Sequence, residues 1–142
     1  MFDRNKNEST TKLTETERPR HFKAEYMGGH KMYPKKTDCD VRMFSKAIEI
    51  EFGRFHNKNK ITVFYDAITD LENMDDKRIT KTRVLLTGFV IGLLWKKKFL
   101  YTVIKYKDQI GIDQTIVIDF GRAAEAAQQA IYQRMVEVKR LQ

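Results

Sequence analysis

The stretch Val84–Lys98, VLLTGFVIGLLWKKK, places the hardest constraint on what this chain can fold into. It presents Val84, Leu85, Leu86, Phe89, Val90, Ile91, Leu93, Leu94 and Trp95 almost without a break. Taking one such side chain out of water is worth roughly 1.5–3 kcal/mol. Half of the set left in solvent would form a patch of the kind monomers avoid. The cover must be the chain's own core, a second subunit or a membrane. The run is about a dozen residues, short of the roughly 20 a spanning helix needs, and it contains Gly88, Gly92 and Thr87. No transmembrane span is expected; a re-entrant or interfacial segment stays open.

Charge gathers around the same run. The chain carries a net charge of +8. From Lys77 to Lys107 there are nine basic residues and no acid, while the rest of the chain holds 18 basic and 19 acidic groups. The surplus therefore comes from one stretch that brackets the apolar block. Such local charge points to an anionic partner, or to a solvated rim that keeps a greasy segment soluble.

A chain of 142 residues is long enough for one domain with a real core. Residues 1–23 are polar and charged and are expected to be a disordered tail, with the folded domain over 24–142. The start, MFDRNKNESTTK, has no apolar h-region, so no secretory signal is expected. Cys39 is the only cysteine, which rules out an intrachain disulfide and fits a reducing compartment.

Alternation dominates the folded part. Glu25–Tyr33 reads as a strand interrupted by Gly28-Gly29. Val41 and Met43 share a face in Asp40–Met43. In Ala47–Phe52 the apolar Ile48, Ile50 and Phe52 alternate with Glu49 and Glu51, which predicts a half-buried strand in a hairpin with the one before. Ile61–Tyr65 and Ile68–Asn73 are predicted strands on either side of a bend at Asp66-Ala67, and Met74–Arg78 is expected to turn. Phe99–Tyr106 and Gln114–Phe120 are β-branched and aromatic and flank a turn over Lys107–Asp113. After Gly121 the chain predicts a helix to about Lys139, with Ala124, Ala127, Ile131, Met135 and Val138 on one stripe.

Six or seven antiparallel strands followed by one amphipathic helix form a mainly β fold, a sandwich or barrel with the helix closing one open end. This layout resembles the pleckstrin-homology-like superfold. The residues that carry the resemblance are Tyr26-Met27-Gly28-Gly29-His30, Val63–Ile68, Leu94–Lys98 with Tyr101–Ile104, and Phe120-Gly121 leading into Ala126–Tyr132. They are similar to small prokaryotic pleckstrin-homology or GRAM-like domains over about Ala24 to Leu141. The resemblance implies two near-orthogonal sheets capped by the helix, and a binding module rather than a particular ligand. The basic phosphoinositide motif of eukaryotic members has no clear counterpart in the first hairpin.

Chemistry-bearing patterns are sparse. His21, His30, His56 and Cys39 lack zinc-ligand spacing, and there is no P-loop or dinucleotide fingerprint. Nothing in the sequence orients His30 and Cys39 as base and nucleophile. No enzyme, cofactor or metal is expected. Three readings remain for the central segment. It packs as core, it meets a membrane, or it joins a second copy, with Gly88 and Gly92 at small-xxx-small spacing. In the membrane reading Lys81, Arg83, Lys96, Lys97 and Lys98 meet anionic lipid, while Leu86, Phe89, Ile91, Leu93 and Trp95 form the apolar contact. The same apolar residues serve a homo-oligomer or protein partner. Nucleic acid, reached through the basic 77–107 stretch, is the third option. The expectation is a cytoplasmic binding or scaffolding domain with peripheral contact at the inner membrane face.

Overall fold

The computed structural model describes residues 18–53, 58–75 and 100–141. In chain order these form β1 (Arg20–Gly28), β2 (Thr37–Met43), β3 (Ala47–Phe52), β4 (Asn59–Phe64), β5 (Ile68–Met74), β6 (Tyr101–Lys107), β7 (Asp113–Asp119) and α1 (Ala124–Leu141). Single 3-10 turns at Tyr65–Ala67 and Gly121–Ala123 precede β5 and α1. The described residues are mainly β: seven antiparallel strands in one sheet, and a C-terminal helix.

The strand order is β4-β3-β2-β1-β7-β6-β5. The first strand joins the two halves. It pairs with β2 from Arg20 to Tyr26 and with β7 through Glu25, Tyr26 and Gly28, with a register shift between Tyr26 and Gly28. The two edge strands, β4 and β5, are nevertheless joined by only Tyr65–Ala67. A flat sheet of this order would hold its edges roughly 29 Å apart, six spacings of about 4.8 Å. Three linking residues reach about 14 Å at most. The sheet must therefore curl until its edges approach.

Curling puts one face of every strand on a common interior. Tyr26, Val41, Ile50, Val63, Ile104, Tyr106, Ile116 and Ile118 all lie in one buried cluster, with Leu71 of β5 packed against it. On β3 the buried Ile48, Ile50 and Phe52 are those the alternation places inward. The helix completes the cluster with Ala124, Ala127, Ala130 and Ile131, and Met135 and Val138 pack against it. Alanines at its start let the helix lie close to the sheet. Asn73 Nδ2 donates to the Ala124 carbonyl at 3.3 Å and Arg134 Nη1 to the Phe44 carbonyl at 3.1 Å, which ties the helix to both halves. Tyr65 Oη also donates to Phe44 O, at 2.8 Å. A smaller cluster of Met27, Met74, Tyr101, Val103 and Val117 is buried separately.

Several boundaries differ from the sequence reading. The first strand begins at Arg20, ahead of Ala24, because pairing with β2 continues to Arg20↔Met43. It ends at Gly28 rather than Tyr33, since Gly28 and Gly29 both take positive φ and turn the chain out of the sheet. Met74 belongs to β5, not to the turn: it pairs with Tyr101 and is 4% exposed.

Candidate functional site

Strand register brings three connections to one end of the sheet. Tyr26 pairs with Thr37, Phe52 with both Cys39 and Asn59, and Lys107 with Asp113. The β1–β2 and β6–β7 loops therefore emerge side by side.

The β6–β7 loop is organised by one carboxylate. Asp108 Oδ1 accepts the backbone N–H of Ile110 at 3.1 Å and of Ile112 at 2.8 Å, while its Oδ2 accepts Gln114 Nε2 at 3.1 Å. These bonds, that from Gln114 foremost, hold its carboxyl below the usual range. Both isoleucine amides are drawn inward to Asp108, yet both side chains stay in solvent.

The β1–β2 loop is organised by His30. Its Nδ1 accepts the Met32 N–H at 3.0 Å, its carbonyl accepts the Tyr33 N–H at 3.0 Å, and its own N–H donates to Tyr26 Oη at 3.1 Å. The Tyr26 hydroxyl donates in turn to the Tyr33 carbonyl. Burial pushes the Tyr26 phenol up to about 12, so it keeps that proton at neutral pH. Below, Tyr33 packs edge-on against Phe52, and Phe52 stacks on Tyr26. Gln114 couples the two loops: its Oε1 accepts the Lys31 N–H at 3.1 Å while its amide nitrogen serves Asp108.

The result is a rim of unusual surface chemistry. Met32 is 73% exposed, Ile110 79% and Ile112 41%. They are three of the five large apolar side chains exposed among the described residues. Lys31, Lys35 and Lys36 stand exposed on the same β1–β2 loop, and no acid lies between Gly29 and Thr37. Lys36 pairs with Glu25 at 3.2 Å, and Lys107 with Asp113 at 2.9 Å.

A polar cavity of about 450 Å³ opens beside this end, lined by Lys23, Asp38, Cys39, Asp40, Glu51 and Lys58 among others. Its three carboxylates outnumber its two ammonium groups, so it does not favour an anion. Burial, then the nearby Asp40, pushes the Cys39 thiol up to about 12; it is protonated at neutral pH and a poor nucleophile.

The contact residues expected from the sequence, Lys81, Arg83, Lys96, Lys97 and Lys98 with Leu86, Phe89, Ile91, Leu93 and Trp95, lie outside the described residues. Of the basic stretch, Lys105 and Lys107 are described, and each has an acid beside it: Asp70 at 4.0 Å and Asp113 at 2.9 Å. Sequence reasoning missed the rim. Met32 read as part of a strand, and Ile110 and Ile112 as part of a turn. Two isoleucines in a turn centred on Gly111 were the available signal.

His30 makes this end sensitive to pH. Burial lowers its pKa, and the Asp108 carboxylate opposes that shift without overcoming it. The Met32 N–H bond also requires an unprotonated Nδ1. A histidine depressed in the fold binds its proton more readily in the unfolded chain. Its contribution to stability is thus complete above the unfolded value of about 6.5 and shrinks as pH falls from there toward the folded value. The melting temperature is expected to drop between pH 7 and pH 5. The drop should be smaller in His30→Gln, measured by circular dichroism across that range.

Among the described residues no helix is long and apolar enough to cross a membrane, and no three His, Cys, Asp or Glu side chains are grouped as a metal ion would need. No family model matches the sequence, and no curated protein matches it.

Proposed function

We propose that this protein is a non-enzymatic binding module of pleckstrin-homology-like build, its two sheet halves near-orthogonal and capped by α1, that docks on an anionic membrane surface through the loop rim. One observation carries the reading: most of the exposed large apolar side chains among the described residues, Met32, Ile110 and Ile112, stand on two adjoining loops, one of them acid-free with three lysines. Apolar tips with ammonium groups on the neighbouring loop match a headgroup layer over hydrocarbon.

The magnitudes suit reversible attachment. Partial insertion of three apolar side chains contributes roughly 3–5 kcal/mol. Lysines near an acidic leaflet add about 1 kcal/mol each. Neither contribution suffices alone.

Co-sedimentation with phosphatidylcholine vesicles, with and without phosphatidylglycerol, tests this. Retention is expected on the acidic vesicles only, weakened by salt and unaffected by competing duplex DNA. Met32→Ser/Ile110→Ser and Lys31→Glu/Lys35→Glu should each lower the partition at least about tenfold, the equivalent of 1.4 kcal/mol. Binding to neither vesicle leaves a protein partner as the function. Displacement by DNA assigns the surface to nucleic acid.

A further inference from the structure

Away from the rim, the sheet buries apolar side chains on both of its faces. Met74 pairs with Tyr101 and Val103 with Val117, and Met27 lies where β1 shifts register against β7. These five form the smaller cluster, and each is at most 4% exposed. Their neighbours along the strands belong to the opposite face. Asn73 Nδ2 donates to the Ala124 carbonyl and Thr102 Oγ1 donates to Asn73 Oδ1 at 2.8 Å, so this pair meets the helix. Ile104, Ile116 and Ile118 belong to the main cluster. Side chains alternate along a strand, so Met74, Tyr101, Val103 and Val117 lie on the outer face, away from α1.

An outer face this well shielded requires a cover. The main cluster has α1 and partly buried side chains such as Phe22, Leu71 and Met135 packed on it; the smaller one has none among the described residues. The shielding is already present in one copy of the chain, so a second subunit is not its source. Connectivity names the candidate. The strand β5 stops at Met74 and β6 starts at Tyr101, and these two are paired. The chain between Asp75 and Leu100 therefore leaves from and returns to the edge of the patch. That stretch holds the apolar run Val84–Trp95, whereas residues 1–17 and 54–57 offer only Met1, Phe2, Leu13 and Phe55 as large apolar side chains. Reach is not limiting. From β5 to β1 is three strand spacings, roughly 14 Å, and the five residues from Trp95 to Leu100 extend to about 17 Å.

We infer that the outer face of β1, β7, β6 and β5 is the seat of Val84–Trp95, whose apolar side chains pack on Met27, Met74, Tyr101, Val103 and Val117 as a second core layer. The densest apolar run in the chain is then an internal cover, not a contact for lipid or for a second copy. Toward the rim the same outer face turns polar, with Lys105 opposite Thr115 and Lys107 opposite Asp113. The seat is thereby confined to the end of these strands away from the loops, and it does not rest on the membrane reading.

The test uses the full chain without lipid, and Trp95, its only tryptophan, is the reporter. Its emission is expected to lie to the blue of the urea-unfolded chain's, and iodide should quench it severalfold less, at every protein concentration. Nuclear Overhauser contacts are expected from the Val103 and Val117 methyls to side chains of Val84–Trp95. In a mixture of labelled and unlabelled chains these contacts should arise within one chain. Met74→Ala/Val103→Ala should raise the quenching of Trp95 severalfold while circular dichroism stays that of a folded sheet, and Met32→Ser/Ile110→Ser should leave it unchanged. Quenching as free as in urea, protection that develops only on phosphatidylglycerol vesicles, or contacts found solely between chains would each overturn the inference.

Discussion

Gly29→Ala is expected to lower the melting temperature by roughly 10 °C or more. The backbone at Gly29 has φ of +110°, where an L side chain is strained. A Cβ there would lie 2.3 Å from the Thr115 carbonyl oxygen and 3.2 Å from Ile116 Cα. Those atoms belong to β7, paired with β6 through Lys105↔Thr115 and Ile104↔Ile116, so they cannot step aside as a flexible side chain would. Conformational strain of 1–3 kcal/mol adds to a packing clash of similar size. The total is about 3 kcal/mol or more. Gly111→Ala is the internal comparison. Its φ is also positive, +85°, but nothing lies within 4 Å of the added methyl. It should lose about 1 kcal/mol, the strain alone. The two variants, compared by thermal and urea unfolding, separate conformation from contact. Equal losses would show that Thr115 yields. Because Gly29 sets the β1–β2 loop against β7, Gly29→Ala should also release acidic vesicles more readily than Gly111→Ala.

Ile131→Ala is expected to cost about 2–5 kcal/mol, the range for removing a branched side chain from a filled core. Ile131 is fully buried in the main cluster, and α1 contributes only small alanines among its other buried positions. The helix therefore has little else with which to fill the space over the curled sheet. Met135, one turn on, is only partly buried, and Met135→Ala should cost clearly less. Leu141, 86% exposed, should be replaceable by alanine at almost no cost. This gradient along the helix, read from urea midpoints with unchanged slopes, is the signature of a plug anchored in its first half. A flat profile across the three would mean that α1 is a surface appendage.

Of the nine basic residues between Lys77 and Lys107, the two that are described sit beside acids. The charge argument for a lipid surface consequently rests, in the described part, on Lys31 and Lys35 of the β1–β2 loop, since Lys36 also sits beside an acid, Glu25 at 3.2 Å, rather than on the stretch that stands out in the composition.

The alternation of Ile48, Ile50 and Phe52 with Glu49 and Glu51, and the stripe from Ala124 to Ile131, are local patterns. Their periods are fixed by strand and helix geometry, so the chain alone determines which face of each element is buried. Closure is not local. It follows from a three-residue link between two edge strands at opposite ends of the sheet order, and no periodicity expresses that order. The rim has the same origin: Lys31 meets Gln114 across 83 positions, and each loop read by itself is only a turn. Side-chain period is a property of neighbours along the chain, whereas a surface is made by neighbours in space, and here only the folded sheet chooses which turns adjoin.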